Sequence, residues 1–172
     1  MRILRLFRLL LIPGLILAPA VELVAGAPAK APQVADSQII RPLPLPYDAD
    51  ADAEAQLEAA VAKAKTGHKL VLIDLGGNWC LDCRVLAGVM DIPALHAFIV
   101  QHYELVSIDI GRMDKNQQIP ARYGISQLEG VPALLIVDPQ SGKLINRGRI
   151  FALADARSMT AQALANWLAE WV

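Results

Sequence analysis

The chain has 172 residues, with 16 basic and 17 acidic side chains and a formal net charge of −1. This length allows one ordinary domain plus a targeting segment and is too short for two sizeable cores. No basic stripe is present, which argues against nucleic acid as a partner. Hydrophobic residues make up 55% of the chain, but no uninterrupted apolar run approaches the roughly 20 residues of a membrane-spanning helix. We therefore expect a single soluble domain.

The first 27 residues are typical of a secretory signal peptide. Three arginines within the first eight residues precede a short apolar stretch over residues 9–18, which is the usual order of a signal sequence. Small residues at a spacing of two follow, and they predict cleavage between residues 20 and 27. An uncleaved membrane anchor is the alternative. The sequence thus predicts a protein that is periplasmic or secreted.

Residues 28–48 form a proline- and alanine-rich linker, with prolines at positions 28, 32, 42, 44 and 46. This composition favours an extended tether over packed structure, and we expect the folded domain to span residues 49–172. Its first helix is predicted over residues 51–65, where helix-forming residues follow an acidic start and apolar residues recur at spacings of four and three.

Strands and helices alternate through the rest of the chain. Residues 70–75 form a near-continuous run of branched apolar side chains, which predicts a strand covered on both faces. Turn residues at 138–143 predict that the last two strands form an antiparallel hairpin. The helices are predicted at residues 80–90, 93–102, 116–123 and 158–171, and the strands at 70–75, 104–110, 133–137 and 144–147. This order indicates an α/β domain with a central mixed sheet flanked by helices.

The two cysteines of the chain lie three positions apart in the segment Trp79-Cys80-Leu81-Asp82-Cys83. A cysteine at the first turn of a helix lies where backbone N–H groups and the helix dipole favour a negative charge, which stabilises the nucleophilic thiolate. A partner one helical turn along can attack a mixed disulfide formed at the first sulfur. The spacing therefore predicts that Cys80 is the nucleophile and Cys83 the resolving cysteine.

Other functions also use two closely spaced cysteines. A zinc site would normally add a second such pair or two histidines at ligand spacing, and the sequence has neither. A copper metallochaperone could bind Cu(I) through the two thiolates and a histidine. His68, His96 and His102 are scattered, however, and we expect them at the surface, with no bound metal. The other alternative is a non-catalytic binding module, whose function would not need Cys80.

Four segments, at residues 71–74, 78–84, 122–125 and 130–136, resemble the thioredoxin superfamily in their order and separations. The resemblance extends over roughly residues 54–172 and implies a thioredoxin-like fold. The chain is most similar to exported bacterial thioredoxin-like proteins with a Trp-Cys-x-Asp-Cys motif. The resemblance implies a thiol-disulfide oxidoreductase that acts on protein thiols or disulfides outside the cytoplasm. Its redox group would be the Cys80–Cys83 disulfide, with no further cofactor.

The resemblance also implies roles for neighbouring residues. Asp74 matches the buried acid that exchanges a proton with the resolving cysteine, and a carboxyl in apolar surroundings has a raised pKa suited to that task. Pro132 matches the family's cis-proline, which leaves the backbone of Val131 free to pair with a substrate. Trp79 matches the aromatic residue that contacts substrate. The alternatives are that Asp74 caps the end of its strand and that Trp79 serves packing alone.

The chain also departs from thioredoxin itself, which has a tryptophan at the position of Gly76 and a proline at that of Asp82. We expect Leu81 and Asp82 to tune the redox potential. A carboxylate between the cysteines opposes the thiolate, which destabilises the reduced form and makes the pair more reducing. This predicts a reductase or isomerase. A reductase outside the cytoplasm would need a membrane-linked electron donor, and we expect the protein to be a monomer.

Overall fold

The structure is a computed structural model that describes residues 29–172, so the predicted signal peptide lies outside the described residues. Within this part of the chain, helices and strands alternate as the sequence predicts. The helices are α1 (Ala53–Gly67), α2 (Leu81–Met90), α3 (Pro93–His102), α4 (Gln118–Arg122) and α5 (Ala161–Ala169), and the strands are β1 (Leu70–Gly76), β2 (Tyr103–Asp109) and β3 (Ala133–Val137).

The sheet has the strand order β2-β1-β3 and is mixed, as predicted. Strand β1 runs parallel to β2 and antiparallel to β3. The parallel pair is possible because α2 and α3 form the long crossover between those strands. All residues of β1 after Leu70 are buried, so the central strand is covered on both faces. The carboxyl end of β1 leads directly into the loop that carries the cysteine pair.

Two apolar clusters lie on opposite faces of the sheet. On one face, Leu72 and Leu134 pack with residues of α2, α3 and α5, including Leu86 and Leu164. On the other face, the alternate residues of β1 pack against α1 and the loops. This division follows from the alternation of side chains along a strand, which sends successive residues to opposite faces.

Local signals in the sequence set the helix boundaries. Helix α1 begins after Asp52, whose carboxylate accepts hydrogen bonds from the backbone of Glu54 and Ala55. Helix α3 begins with Pro93, a residue suited to the first helical position. Across residues 29–172, no single helix is long and apolar enough to cross a membrane, and α2 and α3 meet that criterion only as a pair bent by 86°.

The predicted hairpin after β3 forms only in part. Val137 pairs with Leu144 in an isolated antiparallel bridge, and the chain then enters a short 3-10 helix at Arg147–Arg149. The buried amide of Asn146 replaces further strand pairing: its Oδ1 accepts from the backbone of Ile136 at 2.8 Å, and its Nδ2 donates to the carbonyl of Leu134 at 2.8 Å. The prediction of a strand over residues 144–147 is therefore wrong.

The N-terminal segment, residues 29–48, is extended but packed against the domain. Leu43 and Tyr47 are buried. Arg84 of α2 donates to the carbonyl of Leu43 at 3.0 Å, and Asp36 accepts from the backbone of Ala161 at the start of α5 at 2.6 Å. A helix side chain thus satisfies a carbonyl of the segment, and a side chain of the segment satisfies a backbone N–H at the start of a helix. The expectation of a free tether is corrected for residues 29–48, which pack against the domain.

Candidate active site

Cys80 is the N-cap of α2, directly after β1 and a short loop. Its sulfur accepts a hydrogen bond from the backbone N–H of Cys83 at 3.2 Å, as an N-cap side chain does. The predicted helix over residues 80–90 therefore has its first full helical residue at Leu81. At this position the sulfur faces the unpaired N–H groups and the positive end of the helix dipole, which stabilise a thiolate.

Cys83 lies one turn along α2 and is fully buried, and both cysteines are free thiols in this structure. Burial raises the pKa of the Cys83 thiol, and its hydrogen bond with Cys80 and the nearby charge of Asp74 raise it further. The thiol therefore keeps its proton at neutral pH unless a base accepts it. Cys80 is 6% exposed and Cys83 is not exposed at all, an order that fits the predicted roles of an attacking Cys80 and a resolving Cys83.

Asp74 is a buried carboxyl in the middle of the sheet. It lies inside β1, opposite Ser107 on β2 and Leu134 on β3, so it does not cap the end of the strand. Burial raises the pKa of Asp74 to about 7, and hydrogen bonds from Tyr47 and Ser107 act in the opposite direction. A carboxyl with such a pKa can accept or donate a proton near neutral pH.

Tyr47, from the N-terminal segment, is a site residue that the sequence reasoning missed. Its hydroxyl lies 2.9 Å from each carboxylate oxygen of Asp74 and donates a hydrogen bond to them. The backbone of Tyr47 is held by Asn78, whose Oδ1 accepts from its N–H at 3.2 Å and whose Nδ2 donates to its carbonyl at 2.7 Å. The tyrosine packs in one small cluster with Cys80 and Cys83.

Gly76 leaves the space that Tyr47 fills. A Cβ atom at Gly76 would lie 2.4 Å from the Tyr47 hydroxyl and 2.8 Å from the Cys83 sulfur. Both distances are too short for non-bonded atoms, so a glycine is required for this close approach. Two features of the sequence are consistent with this contact. Gly76 stands where thioredoxin has a tryptophan, and Tyr47 is the one aromatic residue within residues 28–48.

The residues that we predict to contact substrate lie next to Cys80 in the sequence or in space. Trp79 is 44% exposed, and its indole N–H donates to the carbonyl of Gly111. The Val131–Pro132 peptide bond is cis, as predicted. The carbonyl of Val131 lies 3.8 Å from the Cys80 sulfur. The structure therefore places the cis-proline loop beside the Cys80 sulfur, and the residue just before Cys80 carries an exposed aromatic ring.

The two residues between the cysteines point to different surroundings. Leu81 is 47% exposed and lines a surface groove between α2 and the N-terminal segment. Asp82 is buried and paired with Arg157, whose Nε lies 3.0 Å from both carboxylate oxygens and whose Nη2 lies 2.5 Å from Oδ2. The backbone N–H of Arg157 also donates to Asp82. Asp82 thus lies beside the two cysteines, but its negative charge is paired with the guanidinium of Arg157.

This pairing corrects the expected effect of Asp82. The sequence predicts an uncompensated carboxylate opposite the thiolate, but a buried carboxylate is stable only with a partner. The hydrogen bonds and charge of Asp82 raise the pKa of Arg157. The guanidinium therefore remains charged and compensates the negative charge of Asp82. Proximity in sequence alone could not reveal a partner 75 positions away.

A metal ion bound by the two thiols would need further ligands nearby. Among residues 29–172, no group of three or more His, Cys, Asp or Glu side chains is placed to hold a metal ion. His68 is the C-cap of α1, and His96 and His102 lie in α3. The three histidines therefore belong to the helices that flank the sheet, and they are not grouped with the cysteines.

Comparison with known proteins agrees with this architecture. A profile of the family described as thioredoxin-like matches residues 52–139, and the chain belongs to that family. The solved structure of a disulphide isomerase from Xylella fastidiosa Temecula1 is 38% identical, covering 74% of this chain and 96% of that one, with a TM-score of 0.69. These findings confirm the thioredoxin-like fold.

Two other solved structures share less with the chain. The C-terminal domain of DsbD from Neisseria meningitidis, in the oxidised form, is 23% identical over 55% of this chain and 83% of its own, with a TM-score of 0.42. A mutant thioredoxin from Halobacterium salinarum NRC-1 is 21% identical over 63% of this chain and 88% of its own, with a TM-score of 0.38. A comparison with curated protein sequences gave no match.

Proposed function

We propose that this protein is a thiol-disulfide oxidoreductase that acts on protein disulfides outside the cytoplasm. The observation that carries the proposal is the Cys80 sulfur at the N-terminus of α2, with the buried Cys83 thiol one turn behind it. Membership of the thioredoxin-like family and 38% identity to a protein named a disulphide isomerase support the same class of chemistry.

The reaction proceeds by two exchanges at sulfur. The Cys80 thiolate attacks a substrate disulfide, forms a mixed disulfide and releases one substrate thiolate. Cys83 then loses its proton, for which Asp74 is the base, and attacks the Cys80 sulfur. The Cys80–Cys83 disulfide forms, the second substrate thiolate leaves, and two electrons pass from the cysteine pair to the substrate. The pair itself is the redox group, and no other cofactor is required.

The proposed direction is reduction or isomerisation of substrate disulfides. The support for this direction is the name of the Xylella relative, which is a disulphide isomerase. The charge of Asp82 gives no such support, because Arg157 compensates it. Turnover as a reductase requires electrons from a membrane-linked donor, and the partners are proteins that carry thiols or disulfides. A glutathione equilibrium tests the direction, because a reduction potential near about −120 mV, in the range of strong oxidants, would contradict it.

The proposed location rests on the N-terminal sequence, where three arginines precede an apolar stretch and small residues. Expression of the full chain in a bacterium and mass measurement of the product outside the cytoplasm test this. We expect a product that has lost 20 to 27 residues. A full-length product in the cytoplasm would contradict the proposal.

Activity is tested by the reduction of insulin with dithiothreitol. The protein is expected to accelerate insulin reduction, and Cys80→Ser to abolish the acceleration, because the attacking sulfur is lost. His96→Ser, a substitution on α3 away from the cysteines, is the control and is expected to keep full activity. Tight binding of Cu(I) without acceleration would favour the metallochaperone. Unaltered cellular function of Cys80→Ser would favour a binding module.

A further inference from the structure

We propose that Tyr47 is a proton-relay residue that passes the proton of Cys83 to Asp74 when the mixed disulfide at Cys80 is resolved. This inference rests on the proposed function and extends it. It adds to the site a side chain from the N-terminal segment, which lies 27 residues before Asp74 and 36 before Cys83 in the sequence.

The relay rests first on the position of the phenol. The Tyr47 hydroxyl donates to Asp74 at 2.9 Å, and Tyr47 packs in one cluster with Cys83. The Cβ position of Gly76 lies within 3 Å of both the hydroxyl and the Cys83 sulfur, which places the two groups side by side. One hydroxyl therefore bonds to the proton acceptor of the resolving step and lies next to its proton donor.

Proton and charge balance in this step. The Cys83 thiol gives its proton to the Tyr47 oxygen, while the Tyr47 hydroxyl gives its own proton to an Asp74 oxygen. The products are a Cys83 thiolate, a neutral Asp74 carboxyl and an unchanged phenol. The thiolate then attacks the Cys80 sulfur and displaces the substrate thiolate. Burial is the main cause that raises the pKa of Tyr47, and the neighbouring Asp74 and Cys83 raise it further. The phenol therefore does not hold a negative charge of its own during the transfer.

Tyr47 is held in place for this role. Asn78, in the loop just before Cys80, bonds both the N–H and the carbonyl of Tyr47. The side chain is buried, so water does not compete for the Asp74 oxygens. The titratable or polar groups that face Asp74 and Cys83 are Tyr47 from the N-terminal segment, Ser107 from β2, and Cys80 at the start of α2.

The test separates the two exchange steps with Ellman's reagent. Mixing the reduced protein with this aromatic disulfide releases a first thionitrobenzoate when Cys80 attacks and a second when Cys83 resolves the mixed disulfide. Stopped-flow measurements across a range of pH compare the wild type with Tyr47→Phe and Tyr103→Phe. Tyr103 is the matched control, because its buried hydroxyl donates to the carbonyl of Leu168 at 2.6 Å, away from the cysteines.

For Tyr47→Phe we expect an unchanged first phase and a second phase slower by about 10²-fold, the lower end of general acid–base contributions. The pH dependence of the second phase should move to higher pH, since the hydrogen bond from Tyr47 lowers the pKa of Asp74. Tyr103→Phe should match the wild type in both phases. A purely structural Tyr47 would change the melting temperature without changing this pH dependence.

A second variant, Asn78→Ala, loosens Tyr47 without changing the phenol and should slow the second phase in the same direction. It also provides a readout if Tyr47→Phe does not fold. The relay would be overturned if the variants that fold showed a second phase with the rate and pH dependence of the wild type. If the wild type itself releases no second thionitrobenzoate, the proposed oxidoreductase function fails, and the relay fails with it.

Discussion

The carboxylate of Asp82 and the guanidinium of Arg157 form a paired contact two residues from the attacking Cys80. Both Asp82 oxygens lie 3.0 Å from the Arg157 Nε, and the Asp82 side chain is buried. The negative charge beside the thiol pair is therefore compensated. The partner comes from the short 3-10 helix at Ala156–Ser158, so a segment 75 positions further along the chain contacts the motif.

Arg157→Met is expected to make the cysteine pair more reducing. Without the guanidinium, the Asp82 charge opposes the Cys80 thiolate and destabilises the reduced form. We expect a shift of about tenfold in the glutathione equilibrium, which corresponds to about 30 mV. Arg149→Met is the control, since Arg149 pairs with Glu170 at the surface. An unchanged or more oxidising potential in Arg157→Met would show that the ion pair does not set the redox balance.

Asp74 should make the stability of the protein fall as pH rises. Burial raises its pKa from 3.8 to about 7, so between these values the folded state holds a proton that the unfolded state has lost. The stability contributed by protonated Asp74 is complete below about pH 4 and is lost by about pH 7, an effect of roughly 4 kcal/mol. Asp74→Asn, which has no such titration, should lack this loss.

Urea unfolding of the wild type and Asp74→Asn at several pH values measures this difference. Subtracting the two curves removes the contribution of all other titrating groups. The stability of the wild type relative to the variant should decrease between pH 4 and 7 and stay level above that range. Parallel curves would mean that Asp74 titrates normally in the folded protein.

Gly76→Ala should destabilise the site, because the added methyl group would overlap the Tyr47 hydroxyl and the Cys83 sulfur. Relief requires a shift of Tyr47 or of α2, and overpacking of this kind costs about 1–3 kcal/mol. Gly148→Ala is the control, since nothing lies within 4 Å of a Cβ placed there. The free energy of unfolding is the measurement, and equal values for the two variants would contradict the close approach at Gly76.

Local sequence patterns predicted most of the architecture. Strand β1 and helix α3 follow from the apolar run and from Pro93, and the bounds of α3 and β3 match the prediction. The sequence predicts the thiol pair at a helix start because the loop, the cysteines and the helix are consecutive in it. Each of these features depends on neighbours along the chain, which composition and periodicity report well.

The features that sequence reasoning missed depend on distant contacts. Tyr47 reaches Asp74 from a proline-rich segment that composition alone describes as a tether. Arg157 reaches Asp82 across 75 positions, and Asn146 replaces backbone pairing beside β3 through its side chain. Such contacts are decided by tertiary packing, and the local patterns of a single sequence do not reveal which polar side chains will meet.

The most direct test of thiol exchange at this site is a trap with Cys83→Ser expressed with its N-terminus intact. A mixed disulfide formed by Cys80 cannot be resolved in this variant, so substrates should remain attached and appear as reducible bands on non-reducing gels. Mass spectrometry then identifies the attached proteins, and the double variant Cys80→Ser/Cys83→Ser is the control. We predict adducts in Cys83→Ser that are absent from the double variant. The absence of adducts from Cys83→Ser, together with copper bound to the wild type, would contradict the oxidoreductase and support the metallochaperone.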